Sequence, residues 1–343
     1  KKDGAFMNYK EHVGYGFHVN CYHSYRGDTN DNLGFGSDIR IIRKILDVLT
    51  DFNEKGIPVK GTWDSENFFS LQKILPEYAP DIIEKMKGDI FMIYCTGDTH
   101  GDWTKFSTNI FPEQKEMTCE DFVIVCGDFG LWDDTNEEKY WLKWLNNKPF
   151  KTLFVDGNHE NYDRLNNEFE VVDFHGGKAH KIRENIYHLM RGYVFDICDK
   201  KIFAFGGARS HDIDDGILDP AEFKTKREFK EEYKHWSKSN KIFRVNNVSW
   251  WKEEMPTKEE MDFGLKTLAE NNFEVDFIVT HCCPQQVVAM FSGGCYKCDE
   301  LTEYFDTVAE KTKFKKWFFG HYHDNKQIMC DYVMLYEQII RIA

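Results

Sequence analysis

Three strand-like runs end in polar clusters at an even spacing, and this rhythm constrains the fold more than anything else in the chain. Ile90 to Cys95 runs into Thr96-Gly97-Asp98-Thr99-His100-Gly101-Asp102, Phe122 to Cys126 into Gly127-Asp128, and Thr152 to Asp156 into Gly157-Asn158-His159-Glu160. Asp98, Asp128 and Asn158 stand 30 residues apart. That is the length of a β-α-β repeat with buried parallel strands, whose apolar runs are continuous rather than alternating. Between the second and third runs the spacing predicts a helix over Asn136–Asn146, capped by Thr135, with Tyr140, Trp141, Trp144 and Leu145 facing inward. In open α/β sheets, sites form at the carboxyl ends of the strands, where these polar clusters fall.

The pattern resumes further on. Val275 to Thr280 ends in His281-Cys282-Cys283-Pro284, and Lys316 to Phe319 ends in Gly320-His321-Tyr322-His323. Between the two groups, Asn185–Leu189, Tyr193–Cys198 and Lys201–Phe205 read as short strands, followed by Gly206-Gly207-Ala208-Arg209-Ser210-His211. Helices are expected over Pro220–Lys238, Lys258–Asn271 and Asp299–Glu310, and closing antiparallel strands over Gln327–Cys330, Val333–Tyr336 and Gln338–Ile342. The stretch from about 212 to 250 reads as a helical insertion. Its Lys and Arg are interleaved with Glu, the pattern of a solvated helix face.

Five strand ends therefore carry Asp98, His100, Asp128, Asn158, His159, His281, His321 and His323. A single histidine after a strand is ordinarily a satisfied structural group. Eight oxygen and nitrogen donors on five strand ends exceed what one ion takes from a protein, and suit two metals sharing a carboxylate.

Asp98-x-His100, Gly127-Asp128, Gly157-Asn158-His159-Glu160, His281 and Gly320-His321-x-His323 resemble, in order and residue type, the signature of the calcineurin-like metallophosphoesterases. The resemblance covers residues 90–343. It implies an α/β fold, a two-sheet sandwich flanked by helices, and hydrolysis of a phosphomonoester or phosphodiester. It assigns Asp98, His100 and His323 to a first metal, Asn158, His281 and His321 to a second, and Asp128 to both. His159 would face the leaving group rather than ligate. Two divalent cations (Mn, Fe, Zn or Mg) would lower the pKa of a bound water so that hydroxide attacks phosphorus near neutral pH. Asp102 or Glu160 is expected to orient a histidine from behind. The second motif continues as Phe129-Gly130-Leu131-Trp132 and lacks the Val-Asp-Arg of the family's protein phosphatases, which counts against a phosphoprotein substrate. Arg209 is a candidate phosphate clamp. A nuclease or cyclic-nucleotide phosphodiesterase on the same site, and a non-catalytic scaffold, are the alternative readings.

Residues 1–89 read as an N-terminal βαβ-type extension: a strand over Tyr15–Cys21, a helix over about 38–54 capped by Ser37, a strand over Ile57–Thr62, and helices to Lys87. His18, Asn20, His23, Arg26 and Asp28 cluster at the first strand. This stretch resembles the opening of barrel-type carbohydrate hydrolases and deacetylases, but a whole barrel takes about 250 residues. It is read as an appended segment without chemistry of its own.

Composition narrows the partners. A net charge of −14 on 343 residues argues against duplex nucleic acid, where Lys and Arg must neutralise phosphates, and leaves small molecules or nucleotides as the favoured phosphate esters. No apolar run is long enough to span a bilayer, and no signal-peptide pattern opens the chain. Ten scattered cysteines, with Cys95, Cys126, Cys198 and Cys330 in apolar runs, are read as buried reduced thiols of a cytoplasmic protein. Cys295-x-x-Cys298 stands without a second pair and is read as ordinary thiols or as a lip of the cleft.

Overall fold

The structure is a computed structural model that describes residues 4–8, 18–22, 91–294 and 296–343. The chain divides into two compact units, Lys1–Ile90 and Phe91–Ala343. In the first, strands Gly4–Asn8 and His18–Tyr22 pair antiparallel, with Gly4 opposite Tyr22. The second of these overlaps the predicted Tyr15–Cys21 strand. The first was not anticipated. The expected elements from 38 to 87, and His23, Arg26 and Asp28, lie outside the described residues.

The second unit is α/β and built on two main sheets flanked by helices. In the seven-stranded sheet, β1 (Ile93–Thr96), β2 (Phe122–Val125), β3 (Lys151–Phe154) and β6 (Ile186–Leu189) run parallel as neighbours. The hairpin of β4 (Glu170–Phe174) and β5 (Gly177–Arg183) extends one edge, and β13 (Ile339–Arg341) closes the other antiparallel to β1. In the six-stranded sheet, β8 (Lys200–Phe205), β9 (Phe277–Thr280), β10 (Lys316–Phe319) and β12 (Tyr332–Met334) are parallel neighbours. β7 (Tyr193–Ile197) and β11 (Lys326–Ile328) flank them antiparallel.

Alternation along the strands explains the layers. Ile93, Cys95, Ile124, Leu153 and Val155 of the first sheet pack with Phe195, Ile202, Ala204, Val279 and Phe318 of the second, forming the inter-sheet core. The intervening residues point outward: Tyr94, Val123, Val125 and Phe154 pack with helix α1 (Asn136–Asn146) through Leu142 and Leu145. Phe203, Phe205, Trp317 and Phe319 pack with Leu301, Phe305 and Val308 of the helix Glu300–Lys311. Strands buried on both faces are the reason their sequences read as unbroken apolar runs.

Several expectations need correction. Tyr140 of α1 is 63% exposed, whereas Trp141, Trp144 and Leu145 pack on the core as expected, joined there by buried Glu138 and Leu142. Glu138 can be inside because its carboxylate takes Arg164 and the backbone amides of Trp132 and Asp133. The three C-terminal strands are not one antiparallel set: β12 runs parallel to β10, and β13 joins the other sheet. The insertion helix begins at Lys226, after a separate turn at Pro220–Glu222. Cys330 is exposed and Cys198 half-buried, whereas Cys95 and Cys126 are buried as free thiols. Cys295 lies outside the described residues. No helix among the described residues is long and apolar enough to cross a membrane.

Candidate metal centre

Every polar cluster falls just past the carboxyl end of a parallel strand, and the parallel order brings the clusters together. Asp98 follows β1, Asp128 follows β2, Asn158 follows β3, His281 directly follows β9, and His321 follows β10. Two groups result in which every ligand atom lies within 4.8 Å of the others: Asp98 with His100 and His323, and Asp98 with Asp128 and His281. In the first, His323 Nε2 is 3.2 Å from Asp98 Oδ2, and His100 Nε2 is 3.0 Å from His323 Nε2. In the second, His281 Nε2 is 3.3 Å from Asp128 Oδ2 and 3.1 Å from Asn158 Oδ1. Asp128 Oδ2 also lies 3.8 Å from His100 Nδ1, so this carboxylate reaches both groups. His321 falls in neither group; it is buried, with its ring 4.9 Å from that of His281.

The local backbone shows why these motifs contain the residues they do. His100, Asp128, His321 and His323 all have left-handed backbone, with φ of 47°, 45°, 69° and 51°. Such strain in non-glycine residues concentrates at functional sites. A Cβ at Gly157 would collide with Asp128 Oδ1, and one at Gly320 with Asp98 Oδ1. Glycine is needed before Asn158 and His321 because the Asp128 and Asp98 carboxylates lie against the backbone there.

The charge balance points the same way. Asp98 and Asp128 are buried, and the ion-pairing partners of their carboxylates among the described residues are histidines. Buried carboxylates demand paired cations or metal. Burial works against the charge on His281, yet Asp128 and Asp98 outweigh it and push the imidazole up to about 10. Against its burial, His281, His159 and His100 hold the Asp128 carboxyl well below its usual range. Burial pulls His100, His159 and His321 down, and the hydrogen bond to Asp98 raises His323. This donor set of carboxylate, amide and imidazole without thiolate fits divalent cations of the first transition row or Mg.

His159 stands apart from the ligand contacts. Its backbone N–H donates to Asp128 Oδ1 at 2.7 Å, and its ring lies 5.6 Å from that of His100 and 6.2 Å from that of Trp132. Neither expected histidine-orienting carboxylate does that work. Asp102 caps the turn Trp103–Phe106 by accepting from Thr104 N–H. Glu160 is buried and accepts from the backbone N–H groups of Phe129, Gly130 and Leu131, so it shapes the loop after Asp128. Burial pushes its carboxyl well up. Arg209 is exposed, and its guanidinium makes no ion pair or hydrogen bond among the described residues.

Sequence reading missed several supporting groups. Lys105 Nζ donates to the carbonyls of Asp98 and Tyr336 at 2.8 and 2.6 Å, tying the end of β1 to the C-terminal segment. Its burial lowers the amine to about 8. Tyr336 in turn stacks on His323, with ring centroids 4.6 Å apart. His211 lies 4.4 Å from the His321 ring and 4.5 Å from that of Tyr296. Asp156, one residue before Gly157, is gripped by His188, Arg191 and Tyr162. Only the unbroken Asp-Gly-Asn-His run hinted that Asp156 sits close to the cluster.

Comparison with known proteins matches residues 91–325 to a family model described as calcineurin-like phosphoesterase. No curated protein matches the chain. Among solved structures, a protein of unknown function from Aquifex aeolicus is 19% identical over 48% of this chain and 82% of its own, with a TM-score of 0.18, too slight a likeness to carry an argument.

Proposed function

The chain belongs to the calcineurin-like phosphoesterase family, and on that premise we propose that it is a metal-dependent phosphoesterase acting on a phosphate monoester or diester. The observation that carries this reading is the pair of buried carboxylates, Asp98 and Asp128, surrounded by imidazoles at ligand distance. Asp98, His100 and His323 would hold one divalent cation, and Asn158, His281 and His321 a second, with Asp128 reaching to both. Two cations held by these residues would supply an activated water as nucleophile and positive charge against the phosphoryl oxygens.

The rest of the work falls to side chains. The Asp128 carboxylate both faces the ligand cluster and fixes the His159 backbone. That contact holds the His159 imidazole at the rim, where it can pass a proton to the leaving oxygen. Exposed Arg209, next in the chain to buried Ser210, is the candidate to meet the substrate phosphate. Trp132 on the His159 side, and His211 with Tyr296 beside His321, give the cluster aromatic flanks. Such flanks suit an ester with a planar group, such as a nucleotide, and the net charge of −14 weighs against duplex nucleic acid.

The test is hydrolysis of p-nitrophenyl phosphate and bis(p-nitrophenyl) phosphate by the Mn-loaded protein, beside His159→Ala and Asp128→Asn. We expect turnover of at least one ester, and a loss of about 10²- to 10⁴-fold for His159→Ala with metal retained. Activity untouched by both changes overturns the assignment. Hydrolysis of neither ester by the metal-loaded wild type favours a non-catalytic scaffold.

A further inference from the structure

Asn158 differs from the other candidate ligands in one respect: its side chain has two unlike ends. Only the carbonyl Oδ1 can ligate a cation, whereas the Nδ2 amine cannot. A half-turn about the last side-chain bond exchanges them at almost no steric cost. Something must therefore hold the amide one way round, and three buried residues form a chain that does.

Asn158 Nδ2 donates to Ser210 Oγ at 3.4 Å, which leaves Oδ1 facing His281 Nε2 at 3.1 Å. Ser210 Oγ–H donates to Glu254 Oε2 at 2.5 Å, and Ser210 N–H donates to Glu254 Oε1 at 3.0 Å. Both oxygens of Glu254 thus face one serine. A hydroxyl has a single proton, so a serine that donates to a carboxylate can only accept from its other neighbour. Burial pushes the Glu254 carboxyl up to about 7; above that pH, with Glu254 ionised, the chain runs in one direction, from Asn158 through Ser210 to Glu254. Asn158, Ser210 and Glu254 are 4%, 4% and 1% exposed, so water does not stand in for a missing partner.

We propose that Glu254, acting through Ser210, is a positioning residue that locks the Asn158 amide with its carbonyl toward the second cation. This rests on the two-cation reading above. It also gives the segment between Ser210 and Glu254 a structural logic. The charged insertion is clamped at its two ends by the same pair of hydrogen bonds, and that clamp sets the polarity of a ligand.

The isosteric change Glu254→Gln separates polarity from packing. A glutamine amine placed at Oε2 would donate to Ser210 Oγ, reverse the chain, and turn the serine proton toward Asn158. The expected result is Mn²⁺ titration by calorimetry in which wild type binds two ions and Glu254→Gln loses about ten- to a hundredfold in affinity for one of them. Ser210→Ala should lose the same step, and it carries the test alone if Glu254→Gln does not fold. In an Asn158→Asp background both ligand oxygens are equivalent, so adding Glu254→Gln should cost nothing further. Wild-type Mn²⁺ binding by both single variants, or an undiminished loss in the Asn158→Asp background, overturns the proposal. Fewer than two Mn²⁺ bound by wild type removes instead the two-cation reading on which it stands, and the proposal with it.

Discussion

The two halves of the ligand cluster are built differently. His281 and Asp128 have side chains that are 0% and 1% exposed, whereas His100 and His323 are 30% and 50% exposed. The buried half grows directly from strand ends: His281 follows Thr280 without a gap, and its Nδ1 is held by the Cys126 carbonyl at 2.7 Å. Asn158 is fixed by Ser210 and Glu254 behind it. In the open half Asp98 is as buried as Asp128, but His100 and His323 stand out on loops, and the outermost histidine leans on Tyr336. One half is thus part of the protein core, and the histidines of the other are open to solvent, on the face where the proposed substrate would arrive. Loss of a buried ligand should damage the fold, while loss of an exposed one should damage only function.

The sharpest way to break this contrast is a pair of substitutions in the metal-free protein. His281→Ala removes the partner of two buried carboxylates and should cost roughly 3 kcal/mol in urea unfolding. His323→Ala should stay within about 0.5 kcal/mol, because its side chain is half exposed. Equal costs would show that the two halves are not distinct in kind.

A second test concerns the buried network beneath Asn158. His180 and His188 share a hydrogen bond between Nδ1 atoms at 2.9 Å, and His188 Nε2–H donates to Asp156. Burial, helped by His188, lowers His180 to about 4 from its ordinary 6.5. A lowered histidine means that the unfolded chain takes up the proton first. Its stabilising contribution is therefore complete above pH 6.5 and is lost as pH falls through about 4. His180→Gln should flatten that acid limb by on the order of 2 kcal/mol, read from urea midpoints between these pH values. An unchanged limb would place the acid sensitivity elsewhere, in the open half.

The smallest effect is expected at the rim. Arg209→Ala should raise KM about tenfold with kcat preserved, as for one lost hydrogen bond to a charged group, and leave stability unchanged. A fall in kcat at constant KM would instead put this guanidinium in the chemical step.

The strand ends were legible because strands buried on both faces leave continuous apolar runs, and the glycines beside Asp128, Asn158 and His321 mark close approaches of ligand to backbone. Other features left no such trace. The β4–β5 hairpin reads as polar because β4 sits at a sheet edge with Glu170, Val171 and Asp173 exposed. On the inner face of α1 Trp141, Trp144 and Leu145 are legible, but Tyr140 is aromatic yet points outward, while Glu138 goes in with a partner from another helix. Ser210 and Glu254 are 44 positions apart and flank a charged segment, so only the fold shows that they meet.

We propose that these strand ends hold two cations with Asp128 between them. Anomalous diffraction from Mn-soaked crystals tests it most directly. The account predicts two peaks, one against Asp98, His100 and His323 and one against Asn158, His281 and His321, with the Asp128 carboxylate touching both. A single peak, or a pair that leaves Asp128 unliganded, would contradict it.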